Sequence, residues 1–324
     1  MGSDDRLTRR TFFERAGIGA LGVAVTGRPD ISFAQTPVPN SSGTAPPQLR
    51  AAARACDCHM HIYDPARFPM PPMERAAPTN ATVAQYRLLQ KRLGTTRVIV
   101  VTPRNYATDN RVTIDAIAQM APNARGVAVV HPSVTDAELK QLHAGGIRGI
   151  RFSLTDPKTA VVTHDMIEPL AKRVAALGWH VQINMTADQI AAADALWSRL
   201  PTPLVFDHIA HISGAGGVTH PAHAVVRRLL DEQRAWVKLS VTYDNTKDGP
   251  PGYADAVSVG QALVKATPER LVWGSNWPHP NETRKPDDAR LFDLMARWAP
   301  DAAAQRRILV DNPVRLYDFG EVSS

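Results

Sequence analysis

From residue 53 onward the chain alternates short apolar runs with amphipathic helical stretches, and this rhythm limits the folds open to it. The eight apolar runs are RACDCHMHI, RVIVVTP, RGVAVVHP, GIRGIRFSL, HVQINM, PLVFDHIAH, WVKLSVTY and RLVWGSN. They have the length and β-branched content of buried strands. Between them, stretches such as DNRVTIDAIAQMA, HDMIEPLAKRVAALG, MTADQIAAADALWSRL and PAHAVVRRLLDEQ place apolar residues at helical spacing. Strands that alternate with helices pair in parallel through right-handed crossovers. Eight such units over 53–324 predict a single (β/α)8 TIM barrel. An open doubly wound sheet is the alternative. It ordinarily carries a glycine-rich turn after its first strand, and MHIYDPARF is not one.

Composition fits a soluble globular enzyme: of 324 residues, 44% are hydrophobic and 21% charged. The formal net charge is +6, but Lys and Arg are spread without a dense run. The charge therefore implies a basic surface, not a nucleic-acid interface, and would help attract small anions. Cys56 and Cys58 are too close along one strand for an unstrained disulfide, and no second pair completes a zinc site.

Residues 1–34 read as an address. TRRTFFERAG sets Arg9 and Arg10 before Thr11 and the Phe12–Phe13 pair; AGIGALGVAVTG follows, and Ser32 and Ala34 precede a cleavage point. This resembles a twin-arginine export signal and predicts a periplasmic protein. The apolar stretch is too short and glycine-rich for a stable membrane span. Residues 35–52, QTPVPNSSGTAPPQLRAA, are expected to form a flexible linker.

Barrel chemistry gathers where strands end. His59 and His61 end the first strand, Arg104 follows the second, and His131 ends the third. Arg151 and Ser153 end the fourth, Asn184 the fifth, and Asp207 and His208 the sixth. Ser240, Thr242 and Tyr243 end the seventh, and Ser275 and Asn276 the eighth. Alternation along a strand predicts Asp57, His59 and His61 on one face, and Cys56, Cys58 and Met60 on the other. Asp57 is open to two readings, a catalytic carboxylate or an orienting partner. His131 is equally open, to structure or substrate contact. His180 begins a strand and reads as structural; His279 reads as a turn residue.

The segments CDCHMHIYDPARFP, GGIRGIRF, GWHVQI, VFDHIA, VWGSNWPHPN and DNPVRLY, spread over nearly all of residues 53–319, resemble the amidohydrolase superfamily. The resemblance is to its lactone-processing branch, which includes pyrone-dicarboxylate hydrolases, sugar lactonases and galactarolactone isomerases. It implies catalytic roles for His59, His61 and His208, with Arg151 polarising a lactone carbonyl. Asn276 stands where the family places an aspartate base, and Asn281 matches a substrate-contacting position. Arg104 is a candidate grip on a substrate carboxylate. Ala76, Asn184, Pro157 and Asp244 stand where the pyrone hydrolases use two tyrosines and two arginines. A planar dicarboxylate is therefore disfavoured. The polar Asn184, Ser240, Thr242 and Tyr243 suit a hydroxylated, sugar-acid-like ligand.

Asn276 sharpens the expected chemistry. An amide does not take a proton from water at neutral pH, as a hydrolytic base must. A lactone attacked by its own hydroxyl needs no activated water and gains from proximity. The outcome is lactone isomerisation, the chemistry of the branch described as lacking the hydrolytic base. The competing expectations are hydrolysis with a histidine as base and a non-catalytic periplasmic solute-binding barrel. No cofactor or metal is expected, because strand four offers Arg151 and strand eight Asn276 in place of acidic or lysine ligands; three histidines alone would still be able to hold zinc.

Overall fold

The computed structural model describes residues 36–71, 78–244 and 246–320; the export signal expected over 1–34 and Ala76 lie outside them. Eight parallel strands pair in sequence order. They are β1 Cys56–Met60, β2 Arg97–Val101, β3 Ala124–Ala128, β4 Ile147–Ser153, β5 His180–Asn184, β6 Leu204–Phe206, β7 Ala235–Leu239 and β8 Leu271–Trp273. Helices α1 Val83–Leu93, α2 Arg111–Met120, α3 Asp136–Ala144 and α4 Ile167–Ala175 follow the first four strands. After β5 come α5 Ala187–Ala192 and α6 Asp194–Trp197, then α7 Pro221–Asp231 after β6 and α8 Ala254–Ala266 after β7. The chain ends in α9 Asp288–Trp298, α10 Ala302–Arg306 and α11 Asn312–Tyr317. This is a (β/α)8 TIM barrel. Among the described residues, no helix is long and apolar enough to cross a membrane.

Local sequence explains the helices. Thr135 caps α3 in a reciprocal box with Glu138, and Thr186 caps α5 with Gln189. In α4 the buried residues Ile167, Leu170, Ala171 and Val174 recur at three- and four-residue spacing, the stripe a helix needs to cover a sheet. Cys56, Cys58, Ile99, Val101, Val127, Val205, Trp236 and Val272 form a separate inner cluster with Tyr317. They come from strands around the ring, so they fill the barrel. Tyr317 of α11, from the terminal NPVRLY segment, joins that cluster.

Strict alternation fails in β1. Asp57 pairs with Val98 but Met60 with Val100, so β1 carries one residue more than β2 across that interval. This is a bulge. Cys58 joins the barrel interior, and His59 also turns inward to Asp207 and Lys238. Asp57 faces away, toward Tyr86 of α1 and Ser275. The shared face expected for Asp57, His59 and His61 is thereby corrected.

The ring closes next to the same histidines. Asn276 N donates to His59 O at 2.7 Å, and His61 N donates to Trp277 O at 2.8 Å. Gly274 permits this approach, since a Cβ there would lie 2.6 Å from the Cβ of His59.

The expected flexible linker is docked over its described part. Arg92 of α1 donates to Ala45 O, Ser42 O and Ser41 Oγ, and Trp277 Nε1 donates to Pro39 O at 2.7 Å. Val38 is buried. The polar composition that reads as a linker supplies carbonyls for a buried arginine.

Candidate active site

A cavity of about 230 Å³ opens at the C-terminal ends of the strands. His61, Arg104, Arg151, Asn184, His208, Tyr243, Asn276 and Asn281 all line it. His59 and Ser240 stand behind it: His59 touches His61, and Ser240 Oγ holds His208 Nδ1 at 2.9 Å. His131 lies elsewhere, in a surface groove beside α2 and α3. Arg104 is steadied by Thr159 Oγ1, 2.9 Å from its Nη1.

Asp207 is the hub of the site. Its Oδ1 lies 3.1 Å from His59 Nδ1, and its Oδ2 accepts from Arg151 Nε and Gln182 Nε2, both at 3.0 Å. Lys238 Nζ is 3.5 Å from Oδ1 and donates to Gln182 Oε1 at 2.7 Å. Burial opposes the carboxylate's charge, but His59, Lys238 and Arg151 together hold its pKa well below the usual range. Burial lowers Lys238 to about 8, with Asp207 pulling the other way.

Burial disfavours the charged form of His59, His61 and His208. Burial drives His59 down to about 3, against the pull of Asp207, and drives His61 and His208 well below the ordinary imidazole value. Hydrogen bonding assigns the proton of His61. His61 Nδ1 is 2.8 Å from Val101 O, which only accepts, so Nδ1 carries hydrogen and Nε2 is a lone pair. His59 Nε2 lies 3.3 Å from it. His59 Nδ1 stands between Asp207 Oδ1 at 3.1 Å, which only accepts, and Lys238 Nζ at 3.2 Å, which only donates, so one ring hydrogen does not satisfy every contact of His59.

The loop after β6 is strained to fit. His208, Ile209, Ala210 and His211 all have φ between 53° and 57°. A left-handed conformation costs about 1–2 kcal/mol per non-glycine residue, and such strain concentrates at functional sites. One left-handed turn brings both histidines to the cavity, their rings 5.5 Å apart. His211 Nε2 is held at 2.8 Å by Asn184 Oδ1, whose amide also donates to Ser153 Oγ.

Beside Asn276 a second chain of contacts runs away from the cavity. Asn276 Nδ2 donates to Tyr243 Oη at 2.9 Å, and Tyr243 Oη lies 2.8 Å from His279 Nδ1. His279 Nε2 is 3.1 Å from each carboxylate oxygen of Asp288. His279 is thus more than the turn residue the sequence implies.

The catalytic reading of Asp57 is corrected. Its carboxylate accepts from Ser275 N, Ser275 Oγ, Tyr86 Oη and His59 N, outside the cavity lining. Burial raises it to about 6, with those donors opposing. It orients the β1–β8 seam.

His59, Asp207 and His208 offer ligand atoms within 4.8 Å of one another. The nitrogen spacing alone would suit a metal, but the charges oppose one. Both Asp207 oxygens are already engaged, and two cations, Lys238 and Arg151, stand on that carboxylate. Like unit charges at about 4 Å repel by on the order of 4 kcal/mol at an effective dielectric near 20. Those two cations oppose a further positive charge on the same carboxylate.

In the sequence Asp207 reads only as a strand-end carboxylate, and Lys238, Gln182 and His211 go unassigned. The signals were present: Lys238 and Gln182 interrupt apolar strands, where a polar residue needs a buried partner.

The family described as Amidohydrolase matches residues 56–319. A 2-pyrone-4,6-dicarboxylate hydrolase from Comamonas testosteroni is 36% identical over 281 residues, covering 84% of this chain and 92% of that protein. A D-galactarolactone isomerase from Agrobacterium fabrum is 30% identical over 289 residues, covering 87% of this chain and 97% of that protein. A crystal structure of an Agrobacterium tumefaciens protein in its apo form aligns with a TM-score of 0.79 at 29% identity, covering 85% of this chain and 100% of that one.

Proposed function

The chain belongs to the amidohydrolase family, and on that premise we propose that it isomerises a sugar-acid lactone by intramolecular acyl transfer. The observation that carries this reading is Asn276, an amide lining the cavity and bonded to Tyr243. The Asp207 carboxylate is fully engaged by its partners and serves as an anchor, not a base for water. A hydroxyl of the substrate attacks its own lactone carbonyl, and a new ring forms as the old ester bond opens. Arg151, fixed through Nε, stabilises the carbonyl oxygen with its terminal nitrogens. Asn184, His211 and Asn281 supply the polar wall that a polyhydroxylated ligand needs.

Hydrolysis is the second reading. Neutral imidazoles of His61 and His208 at the cavity favour it, because neutral imidazole is a competent base. The Comamonas testosteroni relative is a hydrolase. Proton NMR of the purified protein with a panel of aldaric and aldonic lactones separates the two: new lactone signals support isomerisation, and open acid supports hydrolysis. Thermal stabilisation without turnover would instead favour a solute-binding barrel, against which the two enzyme relatives weigh.

We also propose export through Arg9–Arg10 to the periplasm. Replacing both arginines by lysine is expected to retain the protein in the cytoplasm, and normal export of that variant would overturn the proposal.

A further inference from the structure

Tyr243 reaches the cavity with a histidine and a carboxylate behind it. Its hydroxyl is 2.8 Å from His279 Nδ1, and His279 Nε2 is 3.1 Å from Asp288 Oδ1 and Oδ2. His279 and Asp288 are completely buried. The carboxylate only accepts, so His279 carries its hydrogen on Nε2 and offers Nδ1 as a lone pair. Tyr243 donates to that lone pair. Its oxygen in turn accepts from Asn276 Nδ2 at 2.9 Å, which fixes the phenol at the cavity wall. A hydroxyl, an acceptor imidazole and a buried carboxylate in line are the parts of a proton relay.

We propose that Tyr243, backed by His279 and Asp288, is the proton-transfer group of this site, taking the place of the carboxylate that position 276 lacks. The proposal rests on the lactone-isomerase reading and deepens it. The substrate hydroxyl gives its proton to Tyr243 Oη while Tyr243 passes its own to His279 Nδ1. The freed oxygen forms a bond to the lactone carbonyl carbon, and the His279 imidazolium is balanced by Asp288. When the tetrahedral carbon collapses, its bond to the original ring oxygen breaks. His279 returns its proton to Tyr243, and Tyr243 protonates the departing oxygen. No proton is gained or lost, and no co-reactant is required. Burial raises the Tyr243 pKa well above its ordinary value, although Asn276 opposes this. The resting group is therefore a neutral phenol, which accepts a proton only by passing one on.

The same contacts would also suit a staple between the β8 loop and α9, so the test separates the roles. Tyr243→Phe keeps the ring and removes the relay atom. Its kcat on the lactone is expected to fall by about 100-fold or more, the usual scale of general acid–base catalysis. KM and Tm should stay near wild type. Asp288→Asn should lower kcat in the same direction with little change in KM. A Tyr243→Phe variant with kcat within about threefold of wild type would overturn the relay; loss of Tm alone would assign a staple. Nitrogen-15 NMR of the imidazoles gives a readout independent of turnover. Hydrogen on Nε2 of His279 is the expected state. Hydrogen on Nδ1 overturns the relay even if no lactone in the panel reacts, the result that would by itself count against the isomerase reading.

Discussion

Arg151 Nε donates to Asp207 Oδ2 at 3.0 Å, which fixes the guanidinium by one edge. Arg151 also lines the cavity, so its two terminal nitrogens are aimed by a contact they do not share. Arg151→Lys keeps the charge but loses both the anchoring Nε and the fork. Losing a preorganised donor to a developing oxyanion costs about 100-fold or more in rate. kcat/KM should fall by about that factor, with an unchanged circular dichroism spectrum. Near-wild-type kinetics would show that the carbonyl is polarised elsewhere.

His180 shapes acid stability. It is buried against Tyr317, with rings 5.3 Å apart, and neither ring nitrogen has a hydrogen bond of ordinary geometry. Burial, with Lys238 adding to it, lowers its pKa from 6.5 to about 3. The unfolded chain therefore binds the proton more tightly between those values, and stability falls as pH drops from about 6.5 toward about 3. His180→Phe keeps a ring and removes the titration. Urea unfolding across this range should show a shallower loss for the variant. Parallel curves would mean the imidazole is hydrated in the folded state.

Arg92 ties the N-terminal segment down. Its side chain is buried, bonds to residues 41, 42 and 45, and pairs with Asp287 at 2.6 Å. Arg92→Ala removes the three chain contacts and leaves Asp287 with its longer pair to Arg290 at 3.7 Å and its cap on Ala289 N. Breaking a buried ion pair costs roughly 3 kcal/mol. Denaturant unfolding should register a loss of that order, and limited proteolysis should cut within 36–52 faster than in wild type. Unchanged protease resistance would show that the segment docks without Arg92.

The barrel was legible because its signal is repeated. Each strand–helix unit states the same period, and a boundary error in one unit does not alter the rest. Strand-end polar residues such as Arg151, Asn184 and Asn276 were legible for the same reason, since parallel strands deliver their ends to one mouth. The Asp207–Lys238–Gln182 network was not, because it joins three strands through side chains of different lengths. Nor was the bulge in β1, which follows from how β1 must pass both β2 and β8, a property of neighbours absent from its own five residues. Residues 36–52 misled because Pro, Ser and Gly mark a loop whether it is free or docked.

Removal of metal should leave the enzyme active. Lys238 already occupies the position beside His59 where added positive charge would be most costly. Activity after chelation and dialysis is expected to match the untreated protein, with substoichiometric zinc by elemental analysis. Activity that is lost on chelation and restored by zinc would show that His59, His61 and His208 are ligands.

Asn276→Asp should move the product balance from isomeric lactone toward open acid. Asn276 has φ 63°, a left-handed conformation that aspartate also tolerates, so the backbone should hold. The change introduces a proton acceptor on the cavity wall. It also reverses a hydrogen bond: Asn276 Nδ2 now donates to Tyr243 Oη, whereas the new carboxylate must accept there. Tyr243 would then be drawn from His279 Nδ1, its present acceptor. The negative charge also favours imidazolium in His61 and His208, which share the cavity. Hydrolysis should therefore rise while isomerisation falls, with acid product increasing by about tenfold or more relative to isomer. Proton NMR of both proteins on one lactone, after subtraction of spontaneous ring opening, measures the ratio. If the wild type already yields mainly open acid, Asn276 does not hold hydrolysis back, and a cavity histidine is the base.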